Sequence, residues 1–263
     1  KNIKNMKIGL ALSGGGARGI AQIGAIKALE EFNIFPTHIS GTSAGAAIGA
    51  LYASGASCAE MLQFFKSTSL FTRTKFAYNK PGFINTDKFY NDFKAKFPID
   101  NFNALKKPLF ITATNIVKGT LEYFNKGELI TPILASASFP GVFTPVKMND
   151  NYYIDGGTLN NFPIEPLKEV CDKIIGIYVN PLKDIVPSDL MHSYSVMDRA
   201  FEINTSSLSL MKFSQCDLLI SPAELNKYGT FSVKDLDPIY DIGYQYTKKV
   251  LTDNPNIVKQ FYE

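Results

Sequence analysis

Two stretches of the chain combine residue types and spacings that can do chemistry. The first is Gly41-Thr42-Ser43-Ala44-Gly45. A serine on a tight strand-to-helix turn has its hydroxyl projected clear of the backbone, and flanking glycines relieve the crowding such a turn creates. The following helix would aim its free N–H groups and positive dipole end at charge developing beside the serine, with the Ala44 N–H a natural oxyanion donor. The same pentapeptide also reads as a glycine-rich turn with an N-capping serine, and on its own it leaves both readings open. The second stretch is Gly14-Gly15-Gly16-Ala17-Arg18-Gly19. It fits Gly-x-Gly-x-x-Gly, but dinucleotide binding expects an acidic residue about twenty positions on. That region is His38-Ile-Ser-Gly-Thr-Ser43, without a carboxylate. The loop fits better as backbone donors aimed at an oxyanion beside Ser43. Arg18 reads equally well as a contact for an anionic head group or as an ion-pair anchor for the loop.

A nucleophilic serine needs a base, and the chain has only two histidines, His38 and His192. His38 lies five residues before Ser43, and an extended strand would hold them about 16 Å apart. His192 sits in a polar stretch with the character of a surface loop. Both read as structural or surface residues rather than catalytic ones. Asp155 is the remaining option, because it follows Tyr152-Tyr-Ile154 and precedes Gly156-Gly157. That is the carboxyl end of a strand, the edge where α/β sites assemble. If its strand neighbours the one before Ser43, the carboxylate faces the hydroxyl. Alone, Asp-Gly-Gly reads as readily as a turn.

The elements needed to position these groups are visible in the patterning. Residues 7–12 form a short apolar run ending in Ser13 and glycines, which predicts a buried strand. Ile20, Ile23, Ile26, Leu29 and Phe32 place an apolar stripe on a helix. His38–Ser40 reads as a second strand and Ala44–Ala53 as a tightly packed helix closed by Gly55. Further strands are expected at 109–115, 120–124, 151–155, 173–179 and 218–221, and helices at 130–137, 195–211 and 239–251. The alternation predicts an α/β fold, a three-layer sandwich with a central, mostly parallel sheet flanked by helices. No repeat or linker interrupts it, so residues 1–263 read as a single domain.

Composition sets the outer bounds. The chain has 263 residues, is 45% hydrophobic and carries a formal charge of +3. This excludes a disordered chain and argues against an obligate nucleic-acid binder. Two histidines exclude multi-histidine zinc catalysis, and no calcium loop is present, so neither a metal nor a cofactor is expected. Cys58, Cys171 and Cys216 are widely spaced and read as small buried thiols of a reducing compartment. No apolar run approaches the length of a membrane span, so a cytoplasmic location, at most peripheral to a membrane, is expected. Between Cys58 and Lys107, phenylalanines from Phe64 to Phe102 alternate with lysines. They read either as core beneath a solvated lysine face or as aromatics that enter a membrane interface while the lysines meet anionic lipid.

Four motifs in order resemble the patatin-like phospholipase family in its bacterial form: Gly14–Gly19, Gly41–Gly45, Ala137-Ser-Phe-Pro140 and Asp155-Gly-Gly157. The resemblance spans residues 10–157. It implies Ser43 as nucleophile and Asp155 as its base in a dyad without histidine. It places Gly15 and Gly16 in the oxyanion hole, to which the reading of the turn and loop adds Gly14 and Ala44. Arg18 would lie close to the site and Pro140 would shape a neighbouring turn, while Gly41, Gly45, Gly156 and Gly157 shape the two turns themselves. The implied activity is hydrolysis of a lipid acyl ester through an acyl-enzyme, with a lipid substrate, transient membrane contact and no nucleic acid. The competing classes are a nucleotide-binding protein using the glycine loop and a lipid-binding protein without turnover.

Overall fold

The computed structural model describes residues 6–68, 87–230 and 234–262. Its centre is β1 (Ile8–Leu12), buried at all five positions. Successive strand residues point to opposite faces, and Leu10 and Leu12 join one core cluster while Ala11 joins another. Helices therefore cover both faces of the sheet. On the first face lie α1 (Ile20–Glu31), α2 (Ala44–Ser54) and α8 (Leu236–Asp253), the last of these numbered by its place in the chain. On the second lies the short α6 (Glu165–Lys168), with Phe162, Ile164 and Leu167 packed beneath Ala11 and Ile174. The three-layer α/β expectation holds.

The strand β2 (His38–Gly41) pairs parallel with β1, and β3 (Leu109–Asn115) pairs parallel with β2. On the other side of β1, β7 (Lys173–Ile177) and then β8 (Leu218–Ile220) continue the parallel order. The remaining strands are antiparallel: β4 (Thr120–Phe124) and β6 (Asn151–Asp155) pair with β3, and β5 (Val146–Met148) pairs with β6. Because β4 and β6 both pair residues 113–115 of β3, they occupy opposite edges of it. Ile111 pairs with both β2 and β4, so β2 and β6 share one edge. They run towards each other there, with Gly41 opposite Ile111 and Asp155 opposite Ala113. The expectation that Asp155 reaches Ser43 from a strand beside β2 is corrected to an end-to-end meeting along β3.

The apolar stripe predicted on α1 understates its burial. Ile20, Ala21, Gln22, Ile23, Gly24, Ala25 and Ile26 are all buried, because α8 crosses closely over it. A β-carbon at Gly24 would strike the Tyr240 backbone oxygen, and one at Gly243 would strike that of Ala21. Four helices complete the fold on this side: α3 (Cys58–Ser67), α4 (Asp87–Lys96), α5 (Ile130–Ser136) and α9 (Pro255–Lys259). Neither α3 nor α4 was marked by the pattern.

The phenylalanines between Phe64 and Phe102 resolve in favour of the core. Phe64, Phe65, Phe89, Phe93, Phe97 and Phe102 are buried, whereas Lys66, Lys94 and Lys96 are exposed. Phe64 and Phe93 rings sit 5.2 Å apart, and Phe93 stacks on Phe97 at 6.2 Å. Phe71, Phe76, Phe83, Lys75 and Lys80 lie outside the described residues. Of the three thiols, Cys58 is buried and Cys171 and Cys216 are half-buried. No helix among the described residues is long and apolar enough to cross a membrane.

Candidate active site

Ser43 caps α2 at the end of β2 with φ 55° and ψ −122°. A left-handed φ on a residue with a β-carbon costs on the order of 1–3 kcal/mol and persists only where the surroundings impose it. Here the turn leaves no room for alternatives. A β-carbon at Gly41 would lie 2.6 Å from the Gly45 carbonyl carbon, and one at Gly45 would lie 2.7 Å from Ser13 O. The Ser43 N–H donates to Ser136 Oγ at 2.8 Å. Thr42 Oγ1 is bonded to Thr112 Oγ1 at 2.6 Å and donates to Asn160 O at 2.9 Å. The serine is thus held from both sides of the sheet edge.

Asp155 ends β6, and its Oδ1 accepts the Gly157 N–H at 2.7 Å, which folds the chain into a one-turn 3₁₀ segment. Its own N–H donates to Ser138 O at 2.9 Å and its carbonyl accepts from Thr114 Oγ1 at 3.1 Å. The Ser43 hydroxyl lies close enough to its carboxylate to favour the ionised form. Burial raises the Asp155 pKa from 3.8 to about 6, against the lowering effect of the Ser43 hydroxyl and the Gly157 N–H. A carboxylate poised near 6 is still ionised at neutral pH and is a far better proton acceptor than a solvated one.

The glycine loop approaches this pair from β1. Among the described residues, no backbone acceptor takes the N–H of Gly15, Gly16 or Ala44, whereas the Gly14 N–H donates to Asn161 O at 3.1 Å. Gly14 is therefore corrected from an oxyanion donor to a structural member of the loop. Gly16 has φ 56°, and a β-carbon there would strike Thr230 O, the atom that accepts the Ala17 N–H at 2.8 Å. Arg18 is 6% exposed. Its Nη2 pairs with Glu202 at 3.4 Å and donates to Thr230 Oγ1 at 3.2 Å. Of its two expected roles, the structure displays the anchoring one.

These groups open into a cleft of about 1100 Å³, including its mouth. Phe65, Phe89, Phe93, Leu134 and Phe143 give it an apolar wall, and Asp198, Phe201, Glu202 and Thr205 border it from α7 (Ser193–Leu210). Phe201 packs edge-on against Phe139 at 4.9 Å. Pro140 is exposed beside Phe139 and does not line the cleft. Gly156 packs its bare Cα against Thr112, where a β-carbon would stand 2.6 Å from the Thr112 carbonyl oxygen. Neither histidine borders the cleft. His38 begins β2, with Nδ1 2.9 Å from Thr37 Oγ1 and its pKa lowered by burial and then by Lys7. His192 is exposed at the head of α7.

The sequence reading missed several residues that complete the site. Asn161 lines the cleft, and a β-carbon at Gly157 would come within 2.9 Å of its Oδ1. Asn180 lines it too and donates to Gly14 O. It stands just past the carboxyl end of β7, so the rule that α/β sites gather at such ends is a signal that marks it. Ser136 and the α7 residues carry no such signal.

The family model for patatin-like phospholipase matches residues 10–168. The chain is 29% identical over 93% of its length to the lysophospholipase nte1 of Emericella nidulans, covering 18% of that protein. It is 26% identical over 95% of its length to the lysophospholipase NTE1 of Meyerozyma guilliermondii, covering 20%. The chain thus spans about a fifth of the length of these curated relatives. Among solved structures it is similar to VipD from Legionella pneumophila, with a TM-score of 0.56 and 14% identity over 90% of this chain and 67% of the other. It is also similar to the type III effector ExoU of Pseudomonas aeruginosa, with a TM-score of 0.50 and 17% identity over 98% and 53%. At these identities the structural likeness establishes the fold.

Proposed function

The chain belongs to the patatin-like phospholipase family, and from that premise we propose that it hydrolyses the acyl ester of a lipid through a Ser43–Asp155 dyad. The observation that carries the proposal is the meeting of the Ser43 hydroxyl and a buried Asp155 carboxylate in the lining of one apolar cleft.

In this reading Ser43 Oγ attacks the ester carbonyl and its proton passes to Asp155. The carbonyl oxygen becomes an oxyanion, and the N–H groups of Gly15, Gly16 and Ala44 receive it. Such preorganised donors are each worth about two to three orders of magnitude in rate where they have been removed. Collapse expels the alcohol, which takes the proton from Asp155 and leaves an acyl-enzyme on Ser43. Water then attacks with Asp155 accepting its proton, and the acyl–Oγ bond breaks as Asp155 returns that proton to Ser43, releasing the fatty acid. The strained turn keeps Oγ exposed to the substrate instead of folded against α2.

The apolar wall built by Phe65, Phe89, Phe93 and Phe143 suits an acyl chain. The named activity of the curated relatives, lysophospholipase, makes a single-chain phospholipid the first substrate to offer. The same wall offers little to a nucleotide base and phosphates. The test is fatty-acid release from a panel of lysophospholipids, diacyl phospholipids and monoacylglycerols by the wild type, Ser43→Ala and Asp155→Asn. Wild-type release with a loss of about four orders of magnitude in each variant supports the dyad. Turnover retained by either folded variant sinks it.

A further inference from the structure

Ten of the eighteen large apolar side chains that stand exposed among the described residues fall within residues 182–211. Most belong to α7 or its immediate ends. At 100° per residue, Val196, Met197, Ile203, Leu208, Leu210 and Met211 fall together on an outward arc of about 160°. Ser193, Ala200, Asn204 and Ser207 complete that arc, and all ten residues are exposed. None of them is charged. The three charged residues of the helix, Asp198, Arg199 and Glu202, lie on the opposite arc with the buried Thr205, Ser206 and Ser209.

The helix is therefore inside out: hydroxyls and charges face the protein, and aliphatic side chains face away. Two of its inward hydroxyls are satisfied by its own backbone: Thr205 Oγ1 donates to Phe201 O at 2.9 Å and Ser209 Oγ to Thr205 O at 2.6 Å. A surface helix of a globular protein shows the reverse pattern, and an exposed apolar patch of this kind marks an interaction surface.

What covers the patch follows from where it lies. The inward side of α7 lines the cleft through Asp198, Phe201, Glu202 and Thr205, so the apolar arc stands on the helix that forms one wall of the cleft. A protein partner seated there would stand over the entrance, whereas a lipid surface would cover the patch and deliver the acyl chain in one contact. Resting on the acyl-hydrolase reading above, we infer that the outward face of α7 seats the protein on a lipid surface, with the cleft mouth against the lipid that supplies its substrate. The helix lies in the interface and does not span it, since no helix among the described residues is long and apolar enough to cross a membrane. Among the described residues, the phenylalanines that read either as core or as interfacial aromatics are core.

The test is co-sedimentation of the full chain with phosphatidylcholine vesicles. Each aspartate placed on the arc removes a large side chain from lipid contact and should weaken partitioning about tenfold, so Met197→Asp with Ile203→Asp should lower it about a hundredfold. Hydrolysis of vesicle-borne lysophospholipid should fall in parallel, while turnover of a monomeric short-chain nitrophenyl ester stays at wild-type level. Raising the ionic strength should leave wild-type binding unchanged, because the arc carries no charge. Leu210→Asp with Met211→Asp repeats the test from the other end of the helix, should the first pair fail to fold. Ile116→Asp with Val117→Asp, exposed apolar residues between β3 and β4, should alter none of these readouts. Vesicle binding unchanged in folded arc variants overturns the inference. So does a wild-type dimer that the arc variants dissociate without loss of vesicle binding, which would assign the face to a second copy. A wild type that cleaves no ester yet binds vesicles through α7 would refute the hydrolase reading and leave the surface standing.

Discussion

The helices α7 and α8 are each eighteen residues long and are built on opposite plans. In α8 the buried positions are Leu236, Ile239, Gly243, Thr247 and Leu251, while Lys248, Lys249 and Asp253 stand towards water. In α7 the buried positions are Thr205, Ser206 and Ser209, and the aliphatic residues are outside. The first belongs to the fold: its pattern is explained by what lies beneath it. The second borders the cleft that holds Ser43 and Asp155 on one side, and on its other side carries the exposed aliphatic arc proposed to meet lipid.

The largest expected effect that separates them is at Gly243. Gly243→Leu would drive a side chain into the Ala21 backbone, and urea unfolding should show a loss of more than about 3 kcal/mol. Ile239→Ala on the buried face of α8 should cost about 2–4 kcal/mol, with turnover per folded molecule unchanged. The matching change on the outward arc, Ile203→Ala, should move stability by less than about 0.5 kcal/mol. A loss at Ile203 comparable to that at Ile239 would mean that α7 packs as α8 does and would break the comparison.

A subtler contrast concerns water. Phe201 of α7 lies over the turn that follows Asp155, 3.5 Å from where a Gly157 β-carbon would stand. Burial holds the Asp155 pKa up at about 6, and only the ionised form accepts the serine proton. Turnover should therefore rise with pH and level off above about 6. Phe201→Ala should admit water and move that limb of the profile towards 3.8 by about one unit; an unmoved limb would show that α7 does not keep the site dry. The raised pKa also carries a stability cost, absent below the unfolded value of 3.8 and fully present above about 6. Asp155→Asn should accordingly raise the melting temperature at pH 7.5, with the gain gone at pH 3.5. A further expected effect is at the elbow: Ser43→Gly relieves the left-handed strain that Ser43→Ala retains, and should be more stable than it by about 1 kcal/mol.

The same division governs what the sequence made legible. The glycine loop, the serine turn and the Asp155 turn were readable because each is a local solution: a short run of residues must adopt one tight geometry, and its glycines say so. The strands β1 and β2 were readable for the same reason, as apolar runs ending in those turns. The antiparallel direction of β6 was not, because it is set by pairing with β3, some forty positions earlier in the chain, and not by the strand's own residues. Nor was the near-complete burial of the first two turns of α1, which depends on Gly243 more than two hundred positions later. The phenylalanines of α3 and α4 spelled out apolarity without saying whether it faced inward, and the aliphatic residues of α7 posed the same question with the opposite answer. Ser136, Asn161 and the residues α7 lends to the cleft are positioned by tertiary packing alone, with no spacing to announce them.

The central claim is that Ser43 is activated by Asp155 and by no histidine. Its most direct test is reaction of the chain with a fluorophosphonate, followed by peptide mapping and a labelling rate for each variant. A single adduct on Ser43 is expected, formed at the wild-type rate when His38 and His192 are both replaced, and slowed by orders of magnitude in Asp155→Asn. An adduct on another residue, or a rate that collapses with the histidines and survives loss of the Asp155 carboxylate, would contradict it.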